Sequence, residues 1–341
     1  MPADGVIQIA FDRYLLPATV NRQSLGLVDG ARMPLAPDLA PVIVYDPIAR
    51  TVTLLPPKQP WLTEGQTYTL VLGIPEGDAE QGGIRAIDRA KLFADQKREF
   101  GFLVGPKTGG ASEPTASFCR DVLPIFIAKC SDPSCHGNSG ATAAGLVLDT
   151  SAGVGATALN RIAQGSNTGG RSSSAPSSGR RFGVDMPIID PGNPGNSWLI
   201  YKIELARPPT LTQPAPNIAC TSGLLEPKVT FAFAPLVPEA QRKADDSERS
   251  ILNDFVLGRE MPFPFPGAGG YATEPLTFDE REKVRLWIKS LVPGGALPEC
   301  GGCDLVPEAD AGTRDASTSD AGATDASDAG DASDASDAAD Q

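Results

Sequence analysis

The sequence predicts a multidomain chain: an all-β sandwich first, a mainly α domain with long loops behind it, and a disordered acidic tail. Three observations carry that reading. The first hundred residues hold short alternating segments, helical periodicity begins only after Phe118, and the chain ends in a repeat of Asp, Ala and Ser or Gly. At 341 residues the chain suits about two domains of roughly 150 residues each.

Within residues 1–105, Val6–Phe11, Val42–Tyr45, Thr51–Leu55 and Thr67–Leu72 alternate apolar and polar side chains, and Phe100–Val104 closes the set. Turn clusters such as Asp46-Pro47 and Glu76-Gly77-Asp78 separate them, which is the pattern of a β-sandwich. Residues 106–116 are rich in Gly, Ser, Thr and Pro and read as a linker. The α domain spans 117–298. Its first helix is expected over Phe118–Cys130, with Asp121 as N-cap and Pro124 in the first turn. Loops follow at 164–183, rich in Ser, Gly and Arg, and at 206–220, rich in Pro. A second helix is expected over Pro238–Leu257, with Ile251, Leu252, Phe255 and Val256 on one face and Gly258 as its stop. The third opens on a capping box, Thr277 to Glu280, before Val284, Trp287, Ile288 and Leu291 at helical spacing. Residues 299–309 form a Cys-containing connector, and 310–341 bury too little apolar surface to fold.

The net charge of −13 belongs mostly to that tail. Residues 304–341 carry ten Asp, one Glu and one Arg, a net of −10, which leaves −3 for the other 303 residues. A near-neutral body without a basic face argues against nucleic-acid binding. No apolar run reaches the ~18 residues that cross a bilayer.

There is one histidine, His136, so a catalytic triad or a His-rich metal site has to use it or do without. Six cysteines in a loop-rich chain fit an oxidising compartment. The N-terminal residues given contain no basic segment followed by an apolar core, so the expectation is a periplasmic or cell-surface protein whose export signal lies upstream.

The chemistry sits at Cys130-Ser-Asp-Pro-Ser-Cys135-His136. Two thiols just before an imidazole suit covalent haem: each thiol adds across a vinyl group and the imidazole reaches the iron. Four residues separate the cysteines where two are usual, so the extra pair must bulge, with Pro133 helping the turn. The sixth iron position, if it is filled by the protein and not left open, has to take something other than histidine. Met1 and Met33 lie in the β domain, whereas Met261 and the alternative Met186 are each followed by proline. Other uses of these residues stand beside this one. Cys130 and Cys135 can pair as a disulfide, and a Met after a helix can be plain core. Trp198, Tyr201 and Trp287 read as core residues. Arg171, Arg180 and Arg181 read as solvated, with haem carboxylates as a second use. Cys119, Cys220, Cys300 and Cys303 allow three pairings; Cys300-Gly-Gly-Cys303 can also act as a redox dithiol or join Cys130 and Cys135 around zinc.

Two resemblances sharpen these expectations. Ile7–Leu27 (IQIAFDRYLLPATVNRQSLGL) and Thr51–Gly73 (TVTLLPPKQPWLTEGQTYTLVLG) resemble the SbsA-type bacterial Ig-like domain, which implies a spacer or interaction module that contacts the cell envelope. Asp121–Phe126, Gly145–Leu148, Pro191–Lys202, Arg259–Pro262 and the Trp287 helix resemble the cytochrome c-like domains of bacterial extracytoplasmic proteins. That resemblance implies one haem c ligated by His136 and by a methionine, Met261 by its place between the second and third helices. It further implies one-electron transfer with a redox protein partner that sequence leaves unnamed. No general acid, base or nucleophile stands out, so the chain reads as an electron carrier rather than an enzyme. The reading from a different class is a haem-free, disulfide-stabilised surface or adhesion protein.

Overall fold

A computed structural model describes residues 1–58, 61–74, 82–92, 97–109, 113–137, 143–166, 182, 184–206, 230–231, 244–256, 258, 260–262 and 274–301. The N-terminal region holds β1 (Ile7–Phe11), β2 (Leu25–Asp29), β3 (Val42–Asp46), β4 (Thr51–Leu55), β5 (Thr67–Leu72) and β6 (Glu99–Leu103). β3, β4 and β1 pair antiparallel in one sheet, and β2, β5 and β6 pair antiparallel in another. β5 shows the alternation most cleanly, with Tyr68, Leu70 and Leu72 buried. Both sheets feed one apolar core, in which Ile9, Phe11, Val52 and Leu54 meet Leu25, Leu27, Leu70 and Leu72. β-sheets first and helices later is the arrangement expected. β2 escaped the sequence reading because Gly26 interrupts its alternation, which emerges only through pairing with β5.

The first sheet is completed from elsewhere. β7 (Thr230–Phe231) lies parallel to β1, with Ala10 opposite Thr230 and Phe11 opposite Phe231. Met1–Pro307 form one compact unit.

Among the described residues five α-helices follow: α1 (Leu123–Lys129), α2 (Ser151–Thr157), α3 (Trp198–Leu205), α4 (Ala244–Phe255) and α5 (Phe278–Ser290). The start of the first differs from expectation. A turn of π-helix, Phe118–Val122, precedes α1, and the N-cap is Ser117, whose side chain accepts from Arg120 N. Asp121 reaches back to accept from Ser117 N at 2.6 Å, so it closes the cap from inside the helix instead of starting it. The capping box on α5 forms as predicted, with Thr277 and Glu280 satisfying each other's backbone N–H groups. Described α4 begins at Ala244; its expected start at Pro238 and end at Leu257 lie outside the described residues. Trp287 packs on Phe118 and Phe126, with ring centroids 5.0 and 5.9 Å away, which joins α5 to α1.

Apolar and charged contacts fasten the sheets to the helices. Tyr14 and Ile87 share a core with Trp198, Tyr201, Leu205, Leu252, Phe255 and Val256. The Tyr14 hydroxyl donates to Glu204 Oε2 at 2.6 Å, and Arg281 donates to Glu204 Oε1 at 2.9 Å. Arg285 pairs with Asp46, Glu113 and Glu282, and all but Glu282 of this group come from other elements. The segment whose composition reads as a linker is tied at both ends. Asp4 accepts from Thr108 N and Gly109 N at 3.1 and 2.8 Å, and Glu113 pairs with Arg285 and Lys289.

Gly195 marks a close approach between the turn before α3 and β3. A Cβ there would stand 2.6 Å from the Tyr45 carbonyl oxygen. Gly195→Ala should cost about 1–3 kcal/mol, the usual range for overpacking a tight contact. A urea midpoint equal to that of the parent would show that the two segments separate freely at this point.

Candidate functional site

α1 delivers the thiols. Lys129 ends the helix and Cys130 is its C-cap, with Cys130 N donating to Phe126 O at 2.9 Å. The chain then turns through Ser131–Ser134 to Cys135 and His136. Two further bonds hold this segment in place: Ala143 N donates to Cys135 O at 2.7 Å, and Leu148 N donates to His136 O at 2.8 Å. α3 forms the facing wall. Asp190 orients the turn before it, accepting from Asn193 and Asn196 side chains at 3.2 and 2.7 Å, while Ser197 Oγ accepts from Asp190 N at 2.9 Å. The last component is Met261, whose N–H donates to the Lys202 carbonyl of α3 at 3.1 Å.

These elements line a half-open cavity of about 730 Å³. That lies within the roughly 300–1,000 Å³ usual for cofactor and ligand sites. Cys130, Cys135, His136 and Met261 all line it. Its apolar wall includes Leu146, Leu148, Ile162, Ile188, Trp198, Leu199 and Ile203. Lys129, Arg161 and Lys202 add positive groups and Asp132 a negative one.

Met186, the alternative iron ligand, is fully buried in the Phe182–Trp198–Phe255 cluster and is not part of this lining. Cys119 and Cys300 form a disulfide, whereas Cys130 and Cys135 are both free. Cys300 is thereby removed from the zinc grouping, and among the described residues no three His, Cys, Asp or Glu side chains gather as a metal-ion site. Cys220, Cys303, Arg171, Arg180 and Arg181 lie outside the described residues. Trp198, Tyr201 and Trp287 are buried, and Trp198 faces the cavity as well as the core.

Electrostatics favour neutral donors. Desolvation pushes the Cys130 thiol up to about 12, with Cys135 and Glu280 adding in the same direction and Lys129 opposing them. Burial lowers His136 from its ordinary 6.5, so the ring is neutral near pH 7; Lys202 adds to the shift and the Ala143 and Leu146 backbone opposes it. Its Nδ1 is buried with no hydrogen-bond partner among the described residues. Burial also draws Lys202 down to about 8, against the attraction of Glu260. Sequence reasoning missed the roles of Lys129, Arg161 and Lys202, since each reads locally as an ordinary helix-end or loop cation.

No helix among the described residues is long and apolar enough to cross a membrane. Comparison with known proteins finds no matching family model, no matching curated protein and no matching solved structure.

Proposed function

We propose that the protein carries one covalently bound haem c and transfers single electrons. One observation carries this reading: two free thiols, a neutral imidazole and a thioether from four separate positions line one largely apolar cavity. The donor set fits the group. The Cys130 thiol stands in its S–H form, the imidazole has a nitrogen without a partner among the described residues, and the cavity has the needed size.

Cys130 and Cys135 would hold the haem through thioethers, His136 would be the proximal ligand and Met261 the distal one. When bound, the haem supplies the one-electron couple. The protein does the rest. Leu146, Leu148, Leu199 and Ile203 would set an apolar surface against the bound group, which with a thioether ligand would favour the reduced state. Lys129, Arg161 and Lys202 offer positive charge to the haem carboxylates. The two sheets act as an Ig-like support for this domain, and the oxidising chemistry of the Cys119–Cys300 pair fits an extracytoplasmic location.

Expression of the full chain with a c-type haem maturation system tests the proposal. The expected product has one haem added by intact mass, a Soret band that survives denaturation, and no free thiol at Cys130 or Cys135. A colourless product with a Cys130–Cys135 disulfide would instead establish the haem-free, disulfide-stabilised surface protein.

A further inference from the structure

The four residues between Cys130 and Cys135 form a closed turn. Asp132 Oδ1 accepts from Ser134 N at 2.9 Å and from Ser134 Oγ at 2.6 Å. The Asp132 carbonyl accepts from Cys135 N at 2.7 Å, and His136 N donates across the base of the turn to Cys130 O at 3.1 Å. Ser131 Oγ ties the turn back to α1 through Phe126 O at 3.0 Å. Gly137 seats beneath it: a Cβ there would stand 2.4 Å from Ser131 O.

We infer that Asp132 is a positioning residue whose side chain latches this spacer shut, so that two thiols separated by four residues engage one ligand together with His136. The inference rests on the haem reading. A slack spacer of four residues reaches about 3.3–3.6 Å per residue, so the thiol separation would vary widely. A closed Asx turn fixes it, because the carboxylate accepts both a backbone N–H and a hydroxyl within the spacer. Attachment then needs both sulfurs at defined places. At each, the S–H adds across one vinyl C=C: sulfur bonds the inner carbon, the proton goes to the outer carbon, and nothing leaves.

The test compares the parent with Asp132→Ala and Asp132→Asn, the latter keeping an oxygen acceptor at Oδ1. The full chains are produced with the maturation system, and the haem peptides are read by mass for one or two thioethers. Pyridine haemochrome spectra count the vinyl groups left over. Haem-free chains are treated with dibromobimane, which fluoresces when it bridges two thiols. Asp132→Ala should raise the single-thioether fraction and slow bimane bridging by about tenfold, the factor for one lost charge-assisted hydrogen bond. Asp132→Asn should behave close to the parent. A merely structural role would lower total yield in both variants and leave the one-to-two thioether ratio alone. Unchanged ratio and bridging in Asp132→Ala overturn the latch while the haem reading stands. A colourless parent overturns the haem reading, and the positioning role goes with it.

Discussion

Replacing Arg285 with methionine should lower stability by about 3–5 kcal/mol, the range for removing one partner of a buried ion pair. The guanidinium is 5% exposed and the Asp46 carboxylate 1% exposed, with Glu282 and Glu113 on the same group. Burial alone would pull Arg285 down; the three carboxylates outweigh it and hold the group well above its ordinary value. Methionine keeps much of the volume and leaves Asp46 buried without that cation. The pH dependence has a definite sign. Burial pushes the Glu113 carboxyl up, but Arg285 and Lys289 outweigh this and set it below its ordinary 4.5. Its contribution is therefore present above that value and is lost as pH falls through the depressed one. Removing Arg285 takes away part of it, so the deficit should be largest near pH 7 and narrow below about pH 4. Urea midpoints at the two pH values check this. Equal midpoints at pH 7 would mean that the cluster adds nothing net, and recovery in the Asp46→Asn, Arg285→Met pair would locate the penalty at Asp46.

The second large effect separates the two methionines. If the chain carries the proposed haem, Met261→Ala should turn its spectrum from low-spin to high-spin, with little loss of stability because Met261 is only half-buried. Met186→Leu should leave the spectrum unchanged. Met186→Ala should destabilise by about 2–5 kcal/mol through the cavity it opens, again without altering the iron ligands. Visible spectra and thermal melts of the three variants decide the matter. A spin change in Met186→Leu with none in Met261→Ala would reverse the assignment.

Local pattern made much of this architecture legible. The alternation of Thr67–Leu72 and the capping box at Thr277 are written in neighbouring residues, and both form as read. What stayed hidden depends on distant partners. β7 is two residues long and gains its identity from β1. α3 is apolar almost all round, with Trp198, Leu199, Ile200, Tyr201 and Ile203 buried, so it shows no one-sided periodicity. At the site, Cys130, Cys135 and His136 are marked by spacing and Met261 by its place between two helices, but that Met261 lines the cavity and Met186 does not is visible only in the fold. Composition also misjudged the segment after Gly105. Gly, Ser and Pro describe a linker, but Glu113 is held by two cations of α5.

The Cys119–Cys300 bond joins residues 181 apart, and every residue lining the cavity falls between them in sequence. The site is thus contained in a covalent ring. A protease that cuts one exposed loop inside that ring opens the chain without releasing a fragment. The pieces carrying His136 and Met261 stay linked until the disulfide is reduced, so loss of the site demands two cuts or a cut and a reductant.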